Sequence, residues 1–437
     1  MFTIAQDQQK STKPRVVIIG GGFGGLSLAK KLKNAPVDVL LLDKHNYHTF
    51  QPLLYQVAIG AIAADSIAFP IRRIFTRYKN FSFNMAEVIK INADSHTVTT
   101  NIGTIYYDYL VIATGSDTNF FGNKEIAHFA MPMKNVPEAL NLRSLILQNL
   151  ETALVTPDMR EKFALMTFVV VGGGPTGVEL SGALAEMRHL ILGDDYHGLS
   201  KYDMRVYLVE GKDRLLAAMS PQASEKAKDF LTKDGVIIFN SAHVKSYDGF
   251  YLTIDNGKTI KTRNVLWAAG VVGEMPEGIT PEAIGRGNKI YVDEVNRVKG
   301  YENIFAIGDV ATMVTRDLPN GHPGVAPAAI QQGQHLAQNI VRLIKGEPTQ
   351  PFKYIDKGSL ATIGRNKAVA DLGSLHLQGF FAWLLWGFVH IMSLAGFANK
   401  GIIFISWAIN YFTKNTDNRL VVRYFNTQTR ETDSEAK

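Results

Sequence analysis

The sequence predicts an α/β fold: two domains on parallel sheets, the second inserted in the first, with an apolar helical segment at the C-terminus. Three observations predict it. A strand, glycine turn, helix and strand occur in that order twice, Gly172 opening the second copy 152 residues after Gly20. A later apolar run, YENIFAIGDVA (Tyr301–Ala311), reads as a buried strand ending in Gly-Asp without a glycine loop of its own, so it completes the first sheet instead of founding a third. Between Asp371 and Lys400 there is no Asp, Glu, Lys or Arg.

A chain of 437 residues, 46% hydrophobic and 20% charged, has apolar matter for two or three domains. The formal net charge is +6 with no Lys/Arg block, which suits an anionic lipid surface and argues against nucleic acid as a partner. Cysteine is absent. That excludes disulfides, thiolate zinc sites, Cys-held iron–sulfur clusters and dithiol redox chemistry, and no metal site is expected. The leading MFTIAQDQQKSTKPR has no apolar core of the length a secretory signal needs, so the chain is expected to stay in the compartment where it is made.

Taken in order, Val16–Ile19 is β-branched and apolar, the mark of a strand buried on both faces. Glycines follow, then an amphipathic helix over Phe23–Lys33 and a strand over Val37–Asp43. Short strands at Thr97–Thr100, Thr104–Tyr107 and Tyr109–Ala113 and a helix near Val136–Ala153 lead to the second copy, TFVVVGGGPTGVELSGALAEM (Thr167–Met187) with RVYLVEG (Arg205–Gly211). Each copy has the order of a Rossmann-like dinucleotide-binding unit. The bounds read from sequence are 1–122 with 275–372 for the first domain, 123–274 for the second and 373–437 for the C-terminal region.

In the first fingerprint, Gly20 allows a tight turn, Gly22 lets the backbone approach a pyrophosphate, and Gly25 lets helix and strand pack closely. Asp43, 23 residues after Gly20, ends the next strand where a carboxylate accepts ribose hydroxyls. The second fingerprint is Gly172, Gly174 and Gly177, with Glu210 lying 38 residues after Gly172 because the crossover is longer. A carboxylate there repels a 2′-phosphate and favours NAD over NADP, although Arg214 stands nearby. Glu179 reads either as a favourable charge near a helix N-terminus or as a group beside the nicotinamide, and both readings stay open.

With LVIATGS (Leu110–Ser116), LWAAGVV (Leu266–Val272) and NIFAIGDVA, the stretch Pro14–Leu372 resembles the flavoproteins with two dinucleotide domains. That resemblance implies FAD on Gly20, Gly22, Phe23, Gly24, Gly25, Asp43, Lys44, Gln51, Ala113, Thr114, Gly115, Gly308, Asp309 and Gln331. It implies NADH on Gly172, Gly174, Pro175, Thr176, Gly177, Glu179, Glu210, Ala269 and Gly270. Branches that relay electrons through cysteines, the disulfide reductases and sulfide-oxidising quinone reductases, are chemically excluded. DKHNYHTFQPLLYQVA (Asp43–Ala58), GVAPAAIQQGQHLAQNI (Gly324–Ile340) and GSLATIGRNKAVADL (Gly358–Leu372) are similar to segments of the type II NADH:quinone oxidoreductases. The similarity implies a quinone headgroup at Ala329, Gln331 and Gln332, with Glu179 and Gln331 as the catalytic candidates. Pro327 departs from that family's pattern, standing where a first Gln is common. Tyr47, His48 and Tyr55 read as packing residues near the flavin ring in preference to proton-transfer groups.

The tail holds Trp383, Trp386 and Trp407, three of the four tryptophans. Leu372–Asn399 has the length to span a bilayer, but Gly379, Gly387, His390, Ser393 and Gly396 interrupt it, and Ile402–Phe412 is too short to return. A pair of amphipathic helices lying in the membrane plane fits better, with Lys400, Lys414, Arg419 and Arg423 facing anionic lipid. The whole therefore reads as a peripheral flavoenzyme on the cytoplasmic face of the cell inner membrane. It would oxidise NADH, reduce menaquinone or ubiquinone, and pump no protons. A homodimer stays open, as do an NADH oxidase or flavin reductase with a soluble acceptor and a membrane-tethered NADH-responsive flavoprotein.

Overall fold

The computed structural model describes residues 12–190, 192, 195–316, 318–413, 418–421 and 424–425. The elements that position the site begin with strand β1 (Arg15–Ile19), helix α1 (Phe23–Lys31), strand β2 (Asp38–Asp43), helix α2 (Leu54–Ala58), strand β3 (Phe81–Met85) and strand β4 (Tyr109–Ile112). Helix α3 (Val136–Val155), strand β5 (Thr167–Val171), helix α4 (Pro175–Leu190) and strands β6 (Arg205–Val209), β7 (Val236–Phe239) and β8 (Asn264–Trp267) follow. Strand β9 (Ile304–Ala306), helix α5 (Ala326–Ile344), strands β10 (Ser359–Gly364), β11 (Lys367–Leu372) and β12 (Leu375–Gln378), and helices α6 (Phe380–Ser393) and α7 (Phe397–Thr413) complete the set.

Contacts divide the chain into two compact units: 1–48, 69–117 and 271–357 in one, and 49–68, 118–270 and 358–437 in the other. The first unit is built on a five-stranded parallel sheet in the order β9-β4-β1-β2-β3. Its central strand is apolar at every inner position because both faces are covered: Val17 and Ile19 join one core, Val16 and Ile18 the other. β9 enters from far along the chain and pairs with β4, Ile304 opposite Leu110. α5 crosses α1 where a Cβ on Gly333 would overlap the Gly24 carbonyl, so only glycine lets the helices approach so closely.

The second unit holds a four-stranded parallel sheet in the order β7-β6-β5-β8, with β5 wholly buried. β10, β11 and β12 form an antiparallel meander. β10 lies directly on α4, where a Cβ on Gly182 would overlap the Ile363 carbonyl. The bounds read from sequence keep 49–68 and 358–372 with the first domain. By contact both stretches belong to the second unit, because α2 packs on α3 and α4 and β10 packs on α4. The run Tyr301–Ala311 holds a strand of only three residues, followed by a single helical turn at Gly308–Val310. Among the described residues no helix is long and apolar enough to cross a membrane.

Candidate functional site

Each unit carries one glycine cradle. In the first, the chain leaves β1 through Gly20 at φ +105°, a conformation that suits glycine. A Cβ there would overlap the Ala113 carbonyl, and one on Gly25 would overlap the Gly20 carbonyl. At Gly22 a Cβ would meet nothing within 4 Å. That gap opens at the N-terminus of α1, where unpaired N–H groups and the helix dipole favour a phosphate. Asp43 closes the cradle, its carboxylate accepting the N–H groups of Gly21 (2.6 Å) and His45 (2.7 Å). Burial raises its pKa and these backbone bonds oppose the rise. Each carboxylate oxygen keeps a lone pair for a ligand hydroxyl. His48 is buried under the turn with its pKa pushed down to about 4, so its neutral ring donates Nδ1–H to the Gly21 carbonyl at 3.0 Å. Phe23 meets the same ring edge-on.

Around this cradle Lys44 pairs with Glu274 at 2.7 Å, and the Thr114 hydroxyl donates to the Glu274 carbonyl. Gly308 donates its N–H to the buried Gln332 side chain (2.8 Å), and the Ser116 hydroxyl donates to Asp309 (3.0 Å). Gly308, Asp309, Ala329 and Gln332 line one opening together with Lys289 and His322. The sequence reading named the first four of these and missed Ser116 and Lys289. Gln331 is joined to Ile355 at both ends, donating to its carbonyl (2.9 Å) and accepting its N–H (3.0 Å). Pro327 sits in the first turn of α5, where a missing N–H is harmless. Gln51 falls in the second unit and donates to the Lys134 carbonyl at 3.3 Å.

The second cradle repeats the first. Gly172 has φ +111°, and a Cβ there would lie 2.7 Å from the Ala268 carbonyl and 2.9 Å from the Ala269 nitrogen. A Cβ on Gly177 would overlap the Gly172 carbonyl, whereas one on Gly174 would meet nothing within 4 Å. Pro175 and Thr176 begin α4 in the open. Glu210 accepts from Gly173 N–H and, at 2.7 Å, from Lys212 N–H. Arg214 is turned away into its own loop, donating to the Ala217 carbonyl at 2.9 Å. Gly270, at φ +81°, is covered by the ring of Phe121.

Glu179 lies further along α4 and is 8% exposed. Burial pushes its pKa up to about 8, so the carboxyl holds its proton at neutral pH. Thr362 of β10 offers it an N–H at 3.4 Å. The indole N–H of Trp386 also favours its charged form, though short of full hydrogen-bond geometry. Tyr55, buried on α2, lies within electrostatic reach of the same carboxyl. Neither Thr362 nor Trp386 was legible from sequence as a partner of Glu179, since each comes from a distant segment.

Trp386 belongs to α6, where it stacks on His390 and on Trp407 of α7. The polar side of α7 is fastened by Asn399 to the Ser66 carbonyl (3.0 Å) and by Asn410 to the Ala61 carbonyl (3.0 Å). Its other side leaves Ile402, Ile405, Ile409 and Phe412 exposed, and α6 leaves Phe381, Leu384, Phe388 and Met392 exposed. Each set recurs at helical spacing and forms a single stripe. Lys400 donates to the Met392 carbonyl at 2.7 Å. Arg419 is paired with Asp195 and only 16% exposed, so its charge is satisfied within the protein instead of facing lipid. Lys414 and Arg423 lie outside the described residues.

Residues 14–333 match the family model of the pyridine nucleotide-disulphide oxidoreductases, and residues 357–414 match the NDH2 C-terminal domain. The chain is similar to a type II NADH:quinone oxidoreductase (NdhA) of Mycobacterium tuberculosis, 39% identical over 414 residues, covering 91% of this chain and 87% of the relative. It is 30% identical over 437 residues to an internal alternative NAD(P)H-ubiquinone oxidoreductase of Arabidopsis thaliana, covering 92% and 85%. Among solved structures, NDH2 of Plasmodium falciparum in complex with NADH has the same fold, with a TM-score of 0.85 at 23% identity over 94% of this chain and all of that one.

Proposed function

The chain belongs to the type II NADH:quinone oxidoreductases, and on that footing we propose that it oxidises NADH through bound FAD and reduces a membrane quinone without pumping protons. The observation that carries this reading is the pair of glycine cradles, each closed by a carboxylate, in a chain without cysteine. The first cradle fits FAD. The side-chain-free gap at Gly22 suits its pyrophosphate, Asp43 its adenosine ribose, and Gly308 with Asp309 its ribityl and phosphate stretch. Bound there, FAD would supply the redox chemistry that links a hydride donor to a two-electron acceptor.

The second cradle takes NADH by the same devices. Glu210 repels a 2′-phosphate and Arg214 is engaged within its own loop, which favours NADH over NADPH. Glu179 holds a proton beside the NADH domain and orients the dinucleotide. Gln332 fixes the Gly308–Asp309 turn, while Gln331 keeps one N–H beyond its bonds to Ile355 to donate to a quinone carbonyl next to Ala329.

Helices α6 and α7 lie in the plane of the membrane at the cytoplasmic face of the cell inner membrane. Their exposed stripes enter the acyl boundary, and their polar sides face the protein. That seat gives a lipid-dissolved quinone a route to the enzyme while NADH arrives from water. Anaerobic stopped-flow tests the reading: NADH is mixed first, then a short-chain quinone. Fast bleaching of the flavin absorbance followed by fast recovery on quinone is expected. Bleaching that recovers only when air is admitted would overturn the quinone assignment.

A further inference from the structure

The loop that follows Glu210 is backed by a histidine. Glu210 donates its backbone N–H to the Phe239 carbonyl at the end of β7 (2.8 Å), and its carbonyl accepts the Ala242 N–H at 3.0 Å. The Lys212 carbonyl accepts the N–H of Ser241 at 2.8 Å. Those bonds bring His243, the next residue, against Gly211. A Cβ on Gly211 would meet His243 Nε2 at 2.8 Å and Cδ2 at 3.0 Å, so the imidazole edge fills the space of a side chain next to the ribose acid. On the far side of the ring, Nδ1 lies 3.1 Å from the Asp255 carboxylate. The hydrogen bond from His243 holds the Asp255 carboxyl below its ordinary range, so Asp255 stays an acceptor. Nδ1 therefore carries the hydrogen, and in the neutral ring Nε2 keeps a bare lone pair. Among the described residues Nε2 has no hydrogen-bond partner. The side chain is 71% exposed, so a ligand can reach it.

We propose that His243 is a specificity-determining residue for the nucleotide, its Nε2 standing with the Glu210 carboxylate at the adenosine ribose and making the preference for NADH over NADPH depend on pH. The inference rests on the reading of the second cradle as the NADH site. With the ring neutral, two acceptors meet the ribose edge. Both suit the hydroxyl groups of NADH, which can donate to them, and both oppose a 2′-phosphate, which in alkali has only acceptor atoms. An imidazole gains a proton in acid. Nε2 then presents an N–H and a positive charge, which offsets Glu210 and donates to a 2′-phosphate. Asp255 keeps the ring from turning over, so that Nε2 faces Gly211 in either state. The charged groups on the neighbouring segments are Asp255, the loop residues Glu210, Lys212 and Asp213, Lys245 two residues on, and Lys258. Of these, Glu210 is turned to Gly173, and the Lys258 ammonium lies over the Phe239 ring at 4.2 Å.

Full-length protein with its flavin is mixed anaerobically with NADH or NADPH at about pH 8 and about pH 5.5, either side of the range in which histidine changes charge. Flavin bleaching followed against nucleotide concentration separates the dissociation constant from the limiting rate. In wild type the ratio of the NADPH to the NADH dissociation constant is expected to fall on acidification. The 2′-phosphate itself titrates at about pH 6, and that part of the fall is common to every variant. His243→Gln keeps a polar side chain but does not titrate, so its fall should be smaller by roughly two- to fivefold, the scale of an exposed charge pair. His243→Lys is cationic at both pH values and should narrow the ratio by a similar factor already at about pH 8, which a purely structural role would not do. A fall of equal size in wild type and His243→Gln overturns the proposal, as does a His243→Lys ratio at about pH 8 no lower than that of wild type. Bleaching by neither nucleotide at either pH would overturn the reading of the cradle itself, and the proposal with it.

Discussion

Glu210 accepts the backbone N–H of Gly173, the glycine between the first two of its fingerprint, and also that of Lys212 two residues on. Asp43 does the same with Gly21 and His45 in the first cradle. The shared pattern puts Glu210 in the register of a ribose-binding acid despite its longer crossover.

Replacing Glu210 with Ala removes both its ligand contacts and its hold on Gly173. We expect KM for NADH to rise roughly tenfold or more, as for loss of a hydrogen bond to a charged group. The NADH-to-NADPH preference should narrow, because the repulsion of a 2′-phosphate goes with the charge. Steady-state kinetics with both nucleotides checks this; an unchanged preference would show that another group selects the nucleotide.

Much of this arrangement was legible because the sequence writes it locally. The alternation of apolar strand, glycines and helix over Arg15–Asp43 carries its own geometry, whereas the crowding at the middle glycine of each GGG run, Gly21 and Gly173, shows only in the structure. At Gly173 a Cβ would stand 2.8 Å from the Glu210 carboxylate. The surroundings of Glu179 were not legible. Its partner Thr362 is 183 residues away and is brought in by the meander lying on Gly182, a contact that no periodicity announces. Ser116 and Asp309, 193 residues apart, met only in the fold for the same reason. Gln331 carried a headgroup role from resemblance, yet its bonds to Ile355 depend on a return of the chain that the sequence does not mark.

The two kinds of glycine in the first cradle separate by substitution. Gly25→Ala would drive a methyl into the Gly20 carbonyl, which is backbone and cannot yield, so little folded protein is expected. Gly22→Ala meets open space and should fold with a near-native melting temperature. It fills the approach to the pyrophosphate, however, and flavin content after purification should fall severalfold. Absorbance of bound flavin alongside thermal melts distinguishes the two outcomes; equal behaviour of the variants would contradict the assignment of the gap.

Glu179 makes stability depend on pH with a definite sign. Its folded pKa is raised from 4.5 to about 8, so the folded state holds a proton that the unfolded chain releases at lower pH. The stability linked to that proton is whole below the unfolded value and is lost as pH rises toward about 8. Glu179→Gln has no such loss. The variant should therefore melt at a higher temperature than wild type near neutrality, with a gap that widens between the two values and levels off above the upper one. A gap that is constant with pH would mean that Glu179 is already ionised in the folded protein.

The apolar stripes of α6 and α7 are best tested without deleting the helices, because α6 packs on β10 and β11 through Ala382 and Trp386, both of them buried. Phe388 and Phe412 are 63% and 82% exposed, so replacing them with Asp leaves the packed side intact. Burying a phenylalanine in an apolar phase is worth about 1.5–3 kcal/mol, and two lost together should weaken binding to anionic vesicles by about a hundredfold or more. Melting temperature and turnover with a water-soluble short-chain quinone should change little. Turnover with a long-chain quinone embedded in the vesicles should collapse, because substrate and enzyme no longer share a surface. Retention of both vesicle binding and long-chain turnover in the double variant would place the membrane contact elsewhere on the protein.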